Sequence, residues 1–332
     1  MALRARDFMR GVTLYREHPV QRGEEVTPVI WQWGTTRLRD YAPHLVAAPT
    51  VLVIPALVNR FTILDLHPEH SFVRNLVAQG FRVLLVDWDV PGDEEKAFTI
   101  DAYIQKRLVP ILKLAAAAQP VHILGYCMGG VFALALTALC PTLARSLTLL
   151  ATPWDFHAGF EATGQDGRQI ERLLTPWLAG EDCVSEEAVQ YLFTSNQPLH
   201  AFHKFSSFAK QDQFSSDAER FVLAEDWLND GVPLAAPVAR ECFGDWCGRN
   251  VLARGEWRIG GAVVDPHKVT VPTYVVIPRR DRIVPPESSL PLAEAFPNAV
   301  RHEPMMGHVG IMSSPKAVPQ VWMPLGEWLR TR

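Results

Sequence analysis

The stretch HILGYCMGGVFALAL, His122–Leu136, decides the fold. It enters as a short apolar run of strand length and leaves as an apolar run of helix length. His122 opens it, Gly125, Gly129 and Gly130 interrupt it and Pro141 closes the apolar run, so it reads as strand–turn–helix in a core and not as a membrane span. Cys127 sits at the joint, spaced Gly-x-Cys-x-Gly between Gly125 and Gly129. That is the spacing of a nucleophile elbow, where a sharp turn requires minimal neighbours so that strand and helix can approach closely. The positive end of the following helix favours thiolate, and the backbone N–H of Met128 is expected to point where an oxyanion would form. The bland alternative is that Cys127 is a small buried hydrophobe, common for free cysteine.

Working outward, Val29–Trp33 and Thr36–Ala42 flank Gly34 and predict an antiparallel hairpin. Short continuous apolar runs follow at Thr50–Leu57, Arg82–Trp88, Val121–Gly125, Ser146–Ala151, Thr273–Ile277 and Ala299–Pro304. Helix-length segments such as Ser71–Gln79 and Thr99–Ala118 separate the early ones. Strands alternating with helices predict right-handed crossovers and a mostly parallel sheet. An opening hairpin followed by this alternation is the layout of the α/β-hydrolase fold.

The alternation breaks between Ala151 and Val271, a gap too long for a loop in a compact domain. Helical patterns at 167–178, 185–193 and 217–228, and the aromatics Trp177, Phe193, Phe202, Phe205, Phe208 and Trp227, predict an inserted helical cap. Most of those aromatics are expected to be the cap's own core. The chain thus divides into an N-terminal helical segment (1–28), an α/β core (29–151 and 271–332) and a helical cap (152–270). The basic segment at 1–18 has no apolar stretch of signal-peptide length and reads as a surface helix.

A nucleophile after the fifth strand predicts an acid after the seventh and a histidine after the eighth. Asp281 falls in the loop after Thr273–Ile277, and His308 in the loop after Ala299–Pro304. This agreement in order is what lifts the elbow above its bland alternative. In the expected chemistry His308 takes the proton of Cys127, while Asp281 orients and stabilises the imidazolium. The second oxyanion donor is expected after the third strand, near Leu57 or Val58, with Val58 the first choice. Rivals are weaker. His302 lies within the last strand, Asp87 and Asp89 follow the fourth, His122 begins the elbow strand at its far end, and His157 opens the cap.

The 332 residues carry a net charge of -4, which gives no electrostatic reason to expect nucleic acid or an anionic membrane as partner. The five cysteines are scattered. Cys242 and Cys247 come closest to a metal pair but lack a nearby histidine, so no metal site or other cofactor is expected, and a reduced cytoplasmic compartment fits.

A cysteine acyl-enzyme is a thioester, so accepting an acyl group from another thioester is nearly thermoneutral and the group stays activated for transfer to an alcohol. The choice of sulfur leans towards acyl transfer, although cysteine hydrolases of this fold exist. The chain further resembles the polyhydroxyalkanoate synthases, closest to the short type that works with a second subunit. The matching stretches include ALVNRFTILDLHPEHSFVRNLVAQGFRVLLVDWDVPG, FTIDAYI, LGYCMGG, LLATPWDF, AEDWLND, RNVLARGEWRIGGAVVDPHKVTVP, DRIVPPESS and GHVGIMSS, between Val51 and Ser314. The resemblance implies 3-hydroxyacyl-CoA as donor, CoA as product, Cys127 holding the growing chain, and His308 and Asp281 in the family's histidine and aspartate roles. It also implies work at a polymer granule, a second synthase subunit, and a homodimer or hetero-oligomer. Two departures stand beside it. Arg282 replaces the family's histidine after the aspartate, and Met306–Gly307 replaces a glycine pair. The cap diverges between Phe160 and Ser216. The alternative is a cysteine-dependent thioesterase or esterase acting on a hydroxyacyl or related ester.

Overall fold

In a computed structural model, residues 2–23, 27–159, 182–189 and 198–332 are described. The continuous apolar runs become strands buried on both faces, which is why they lack the alternation of a half-exposed sheet. They are β3 (Thr50–Ile54), β4 (Arg82–Asp87), β5 (Val121–Tyr126), β6 (Ala144–Leu150) and β7 (Thr273–Val276). The hairpin β1 (Val29–Trp33) and β2 (Thr36–Asp40) forms one edge and β8 (Ala299–His302) the other. The eight strands run in the order β1-β2-β4-β3-β5-β6-β7-β8. The first two pairings, β1 with β2 and β2 with β4, are antiparallel, and the rest are parallel. This is the mostly parallel sheet of the α/β-hydrolase fold.

Alternate residues of each strand serve opposite layers. Leu52, Ile54, Leu84, Val86 and Ile123 pack on one face, beneath the helix Met128–Leu139 and the helical stretch from Ile100. Val51, Val53, Val83, Leu85 and Leu124 pack on the other, beneath Phe72–Ala78 and the C-terminal helix Met323–Arg330. Local signals set the boundaries. Ser71 caps α2 (Phe72–Ala78) by accepting the Arg74 N–H, and Thr99 caps α3 (Ile100–Tyr103) by accepting that of Ala102. The latter continues through a π turn, Ile104–Leu108, into α4 (Val109–Ala115). Pro110 lies at that junction, where a wider turn accommodates its missing N–H.

The segment between β6 and β7 holds α6 (Pro198–Phe208) and α7 (Ser216–Asn229), the latter capped by Ser215. The helical pattern at 167–178, and with it Trp177 and Phe193, lies outside the described residues. From Leu234 onward the segment packs into the same hydrophobic cluster as β3 and β5, through Val238, Trp246, Leu252 and Trp257. The expected surface helix, α1 (Ala2–Arg16), is a docked one. Phe8 stacks on Phe202 with ring centroids 5.3 Å apart and Tyr15 meets Phe205 at 5.6 Å. Gly11 lets the two backbones touch, because a Cβ there would stand 1.9 Å from the Phe205 carbonyl oxygen. No helix among the described residues is long and apolar enough to cross a membrane.

Candidate active site

Cys127 occupies the joint between β5 and α5 (Met128–Leu139) with φ 55° and ψ −126°. A non-glycine residue costs about 1–3 kcal/mol in such a region and persists only when its surroundings over-determine it. Here they do. The Cys127 N–H donates to Leu150 O at 2.9 Å, and its carbonyl accepts the Gly130 N–H at 2.9 Å. The flanking glycines explain the tightness. A Cβ on Gly125 would lie 2.3 Å from Gly129 O, and one on Gly129 only 2.1 Å from Ile54 O. The result is a partly exposed thiol on a strained bend at the sheet's C-terminal edge.

Asp281 sits in the loop after β7. Its Oδ1 accepts the N–H groups of Ile283 (2.9 Å) and Val284 (2.8 Å). That leaves Oδ2 for His308, whose Nδ1–H donates to it over 2.7 Å. The His308 loop is laced to the same segment, since Arg279 N–H donates to Pro304 O and Arg280 N–H to Met306 O, each at 2.9 Å. The Cys127 sulfur acts on the same imidazole electrostatically. Burial alone would push the His308 pKa down. The Asp281 carboxylate and the Cys127 sulfur outweigh it and raise the pKa to about 10. The three sequence-predicted residues are therefore brought together from three separate loops.

Tyr126 is a participant that sequence reasoning missed. Its hydroxyl donates to His308 O at 3.3 Å, and its ring lies 5.1 Å from the imidazole. Burial holds the phenol far above its ordinary pKa, so it stays a donor. The elbow's x position carries no type preference of its own, which is why no signal marked it.

Met128 opens α5, and Val58 lies in the loop after β3. Among the described residues outside helices and strands, the N–H groups of Leu57 and Val58 donate to no backbone carbonyl, and that of Met128 is one of the first donors of α5, which have no partner within the helix. The rivals are engaged elsewhere. Asp87 pairs with Arg39 at 2.8 Å and Asp89 with Arg37 at 2.9 Å. His302 bonds Gln320 O, His157 bonds Cys247 O, and His122 is buried against Ser146. Cys242 is buried and Cys247 half-buried, and loss of solvent pushes both thiols up, Cys247 to about 12.

A cavity of about 1000 Å³ opens beside His308. Its walls are α7 on one side and the loops after β7 and β8 on the other, with Arg220, Arg280 and Arg282 among the lining residues. Arg282 is the residue standing where the resembled family has histidine.

A sheet of this order, with a strained cysteine-bearing bend after its fifth strand, defines a class, and residues 49–315 match the family model described as alpha/beta hydrolase fold. The chain belongs to that family. Within it, the chain is 29% identical over 324 residues to the poly(3-hydroxyalkanoate) polymerase subunit PhaC of Haloferax mediterranei, covering 94% of this chain and 65% of that protein. It is 29% identical to the PhaC subunit of Allochromatium vinosum, covering 88% of this chain and 83% of that one. The chain thus spans a little under two thirds of the first relative and most of the second. Among solved structures, a carboxylesterase of the ammonia-oxidizing thaumarchaeon Nitrososphaera gargenis matches with a TM-score of 0.58 at 11% identity, covering 92% of this chain and 99% of that one. That likeness concerns the fold.

Proposed function

We propose that the chain is an acyltransferase that polymerises 3-hydroxyacyl-CoA into polyhydroxyalkanoate with release of CoA. The observation that carries this reading is the convergence of Cys127, on its strained bend, with the Asp281–His308 pair. Similarity to two PhaC subunits supplies the substrate class. Arg280 and Arg282 on the cavity wall, beside the ion pairs Arg220–Asp217 and Lys204–Glu225, suit a leaving group that carries phosphates.

In the proposed cycle the Cys127 thiolate attacks the thioester carbonyl. A C–S bond forms as the C=O π pair moves onto oxygen, where the N–H groups of Met128 and Val58 receive the charge. Collapse expels CoA as thiolate, which takes the proton from the His308 imidazolium. His308, neutral again, removes the proton of an incoming 3-hydroxyl. That oxygen attacks the Cys127 thioester, an ester C–O bond forms, and the C–S bond breaks to restore the thiolate. Asp281 holds the ring's orientation and tautomer throughout. This cycle calls on no cofactor or metal. We place the work in a reducing cytoplasm at the surface of the polymer granule, with a second synthase subunit as partner.

The test is purified protein with 3-hydroxybutyryl-CoA, with and without a small partner subunit. CoA release together with insoluble polymer supports the reading. CoA release with soluble 3-hydroxybutyrate as sole product, partner present, makes the chain a cysteine-dependent thioesterase instead. Cys127→Ser separates the two further. A thioester relay loses nearly all turnover, whereas a hydrolase retains ester cleavage.

A further inference from the structure

The loop after β3 has no side chain that could steer the Val58 N–H, because a backbone amide points where its peptide plane is held. The peptide units that follow it, from Val58 O to Arg60 O, are held from an unexpected direction. Val58 O accepts the Val232 N–H at 3.2 Å, and Asn59 forms an isolated antiparallel bridge with Gly231. Asn59 Nδ2 donates to Trp227 O at 3.3 Å, and Trp227 Nε1 returns a bond to Arg60 O at 2.7 Å. The Arg60 guanidinium lies between Asp230, 3.1 Å away, and Asp89, 3.4 Å away. Asp89 is itself in the left-handed region, at φ 56°, and is held by Arg37 at 2.9 Å. Two elements far away in sequence, the β4 loop and the C-terminal end of α7, therefore converge on three consecutive residues of the β3 loop.

We propose that Arg60 and Trp227 are positioning residues that aim the Val58 N–H at the oxyanion formed on the acyl group of Cys127. Holding the carbonyls of Val58 and Arg60 anchors the peptide units immediately after the Leu57–Val58 amide, and so limits how far the donor can turn. The proposal rests on the reading of Val58 as an oxyanion donor. Neither Arg60 nor Trp227 touches the reacting atoms. A misplacement of about 1 Å in such a group costs on the order of a hundredfold in rate, and outright loss of one donor costs about 10²–10³.

The experiment compares two reactions of the same sulfur. Acylation of Cys127, by 3-hydroxybutyryl-CoA and by p-nitrophenyl butyrate, builds an oxyanion. Alkylation by iodoacetamide forms a C–S bond with loss of iodide and builds none, so it reports Cys127 and His308 alone. Trp227→Phe keeps the ring and removes the donor to Arg60 O, while Arg60→Met keeps the stem and removes both ion pairs. Each is expected to slow acylation by about 10–100-fold at saturating donor, with alkylation unchanged, and Arg60→Lys to recover part of the loss. Acylation at the wild-type rate, or a parallel fall in both reactions, overturns the proposal. Wild-type protein that is acylated by the ester but not by the CoA thioester overturns the proposed function alone, since the clamp is then read on the ester. Wild-type protein acylated by neither overturns the clamp with it.

Discussion

A buried histidine lies at each end of β5, and the two behave oppositely. At the N-terminal end His122 packs against Phe81, its Nδ1 2.8 Å from Ser146 Oγ, while its Nε2 has no partner. Burial, helped by the charge of Arg145, lowers its pKa to about 4. At the C-terminal end burial pulls His308 the same way, yet Asp281 and Cys127 raise its pKa to about 10. The difference is a partner of opposite charge, not depth. A hydroxyl lets an imidazole be buried neutral, and a carboxylate makes it a proton store. The consequences for stability have opposite signs. The contribution of His308 is complete below its unfolded pKa of 6.5 and disappears as pH rises through about 10. His122 costs nothing above 6.5, and stability is lost as pH falls from there towards 4.

The largest expected effect comes from giving His308 an environment like that of His122. Asp281→Asn keeps the shape but removes the charge, and its amide can present a donor to Nδ1, which selects the wrong tautomer. Acylation of Cys127 is expected to fall by about 10³–10⁴-fold. The His308 titration, followed by NMR of labelled histidine, should move down from about 10. A variant that keeps the raised titration would show that Cys127 alone sustains it and would break the contrast between the two histidines.

Much of the site was legible because its chemistry is written in short local patterns. Gly125 and Gly129 mark the bend, since no Cβ fits against the Gly129 and Ile54 carbonyls. The order of strands then places Asp281 and His308 in two loops whose side chains meet, and both strand boundaries and caps follow apolar run length and Ser or Thr positions. What escaped reading has no local signature. Tyr126 looks like any strand residue until its hydroxyl meets the His308 carbonyl. The linkage of Arg60 to Trp227 and Asp230 spans 167 and 170 positions of chain and depends on how α7 lies over the β3 loop. The docking of α1 on α6 through Phe8 and Phe202 is hidden likewise, because helix amphipathicity says that a face is covered but not by what.

A smaller effect tests the other end. His122→Asn removes a group that must stay neutral when folded. A depression from 6.5 to about 4 corresponds to roughly 3 kcal/mol lost to acid at full expression. Urea unfolding at a series of pH values should show a shallower decline between 6.5 and 4 in the variant than in the wild type. A residual slope is expected from His70, which burial also lowers to about 4. An unchanged slope would mean that His122 is solvated or partnered in solution and would remove one side of the contrast.

The smallest effect sharpens the contrast. Ser146→Ala deletes the hydroxyl beside His122 and leaves the ring with two buried, unpaired nitrogens. Losing one such hydrogen bond costs about 1 kcal/mol at neutral pH. The hydroxyl also accepts from the protonated ring, so its loss disfavours the charged form further and steepens the acid decline that His122→Asn flattens. The acylation rate of Cys127 is expected to stay at the wild-type value. Roughly five residues of strand, about 16 Å, separate the two ends, and the bend is held by Leu150 and Gly130 rather than by anything near Ser146. A variant that loses stability and acylation together would show that β5 transmits strain along its length, so that the elbow's geometry depends on the packing at its far end.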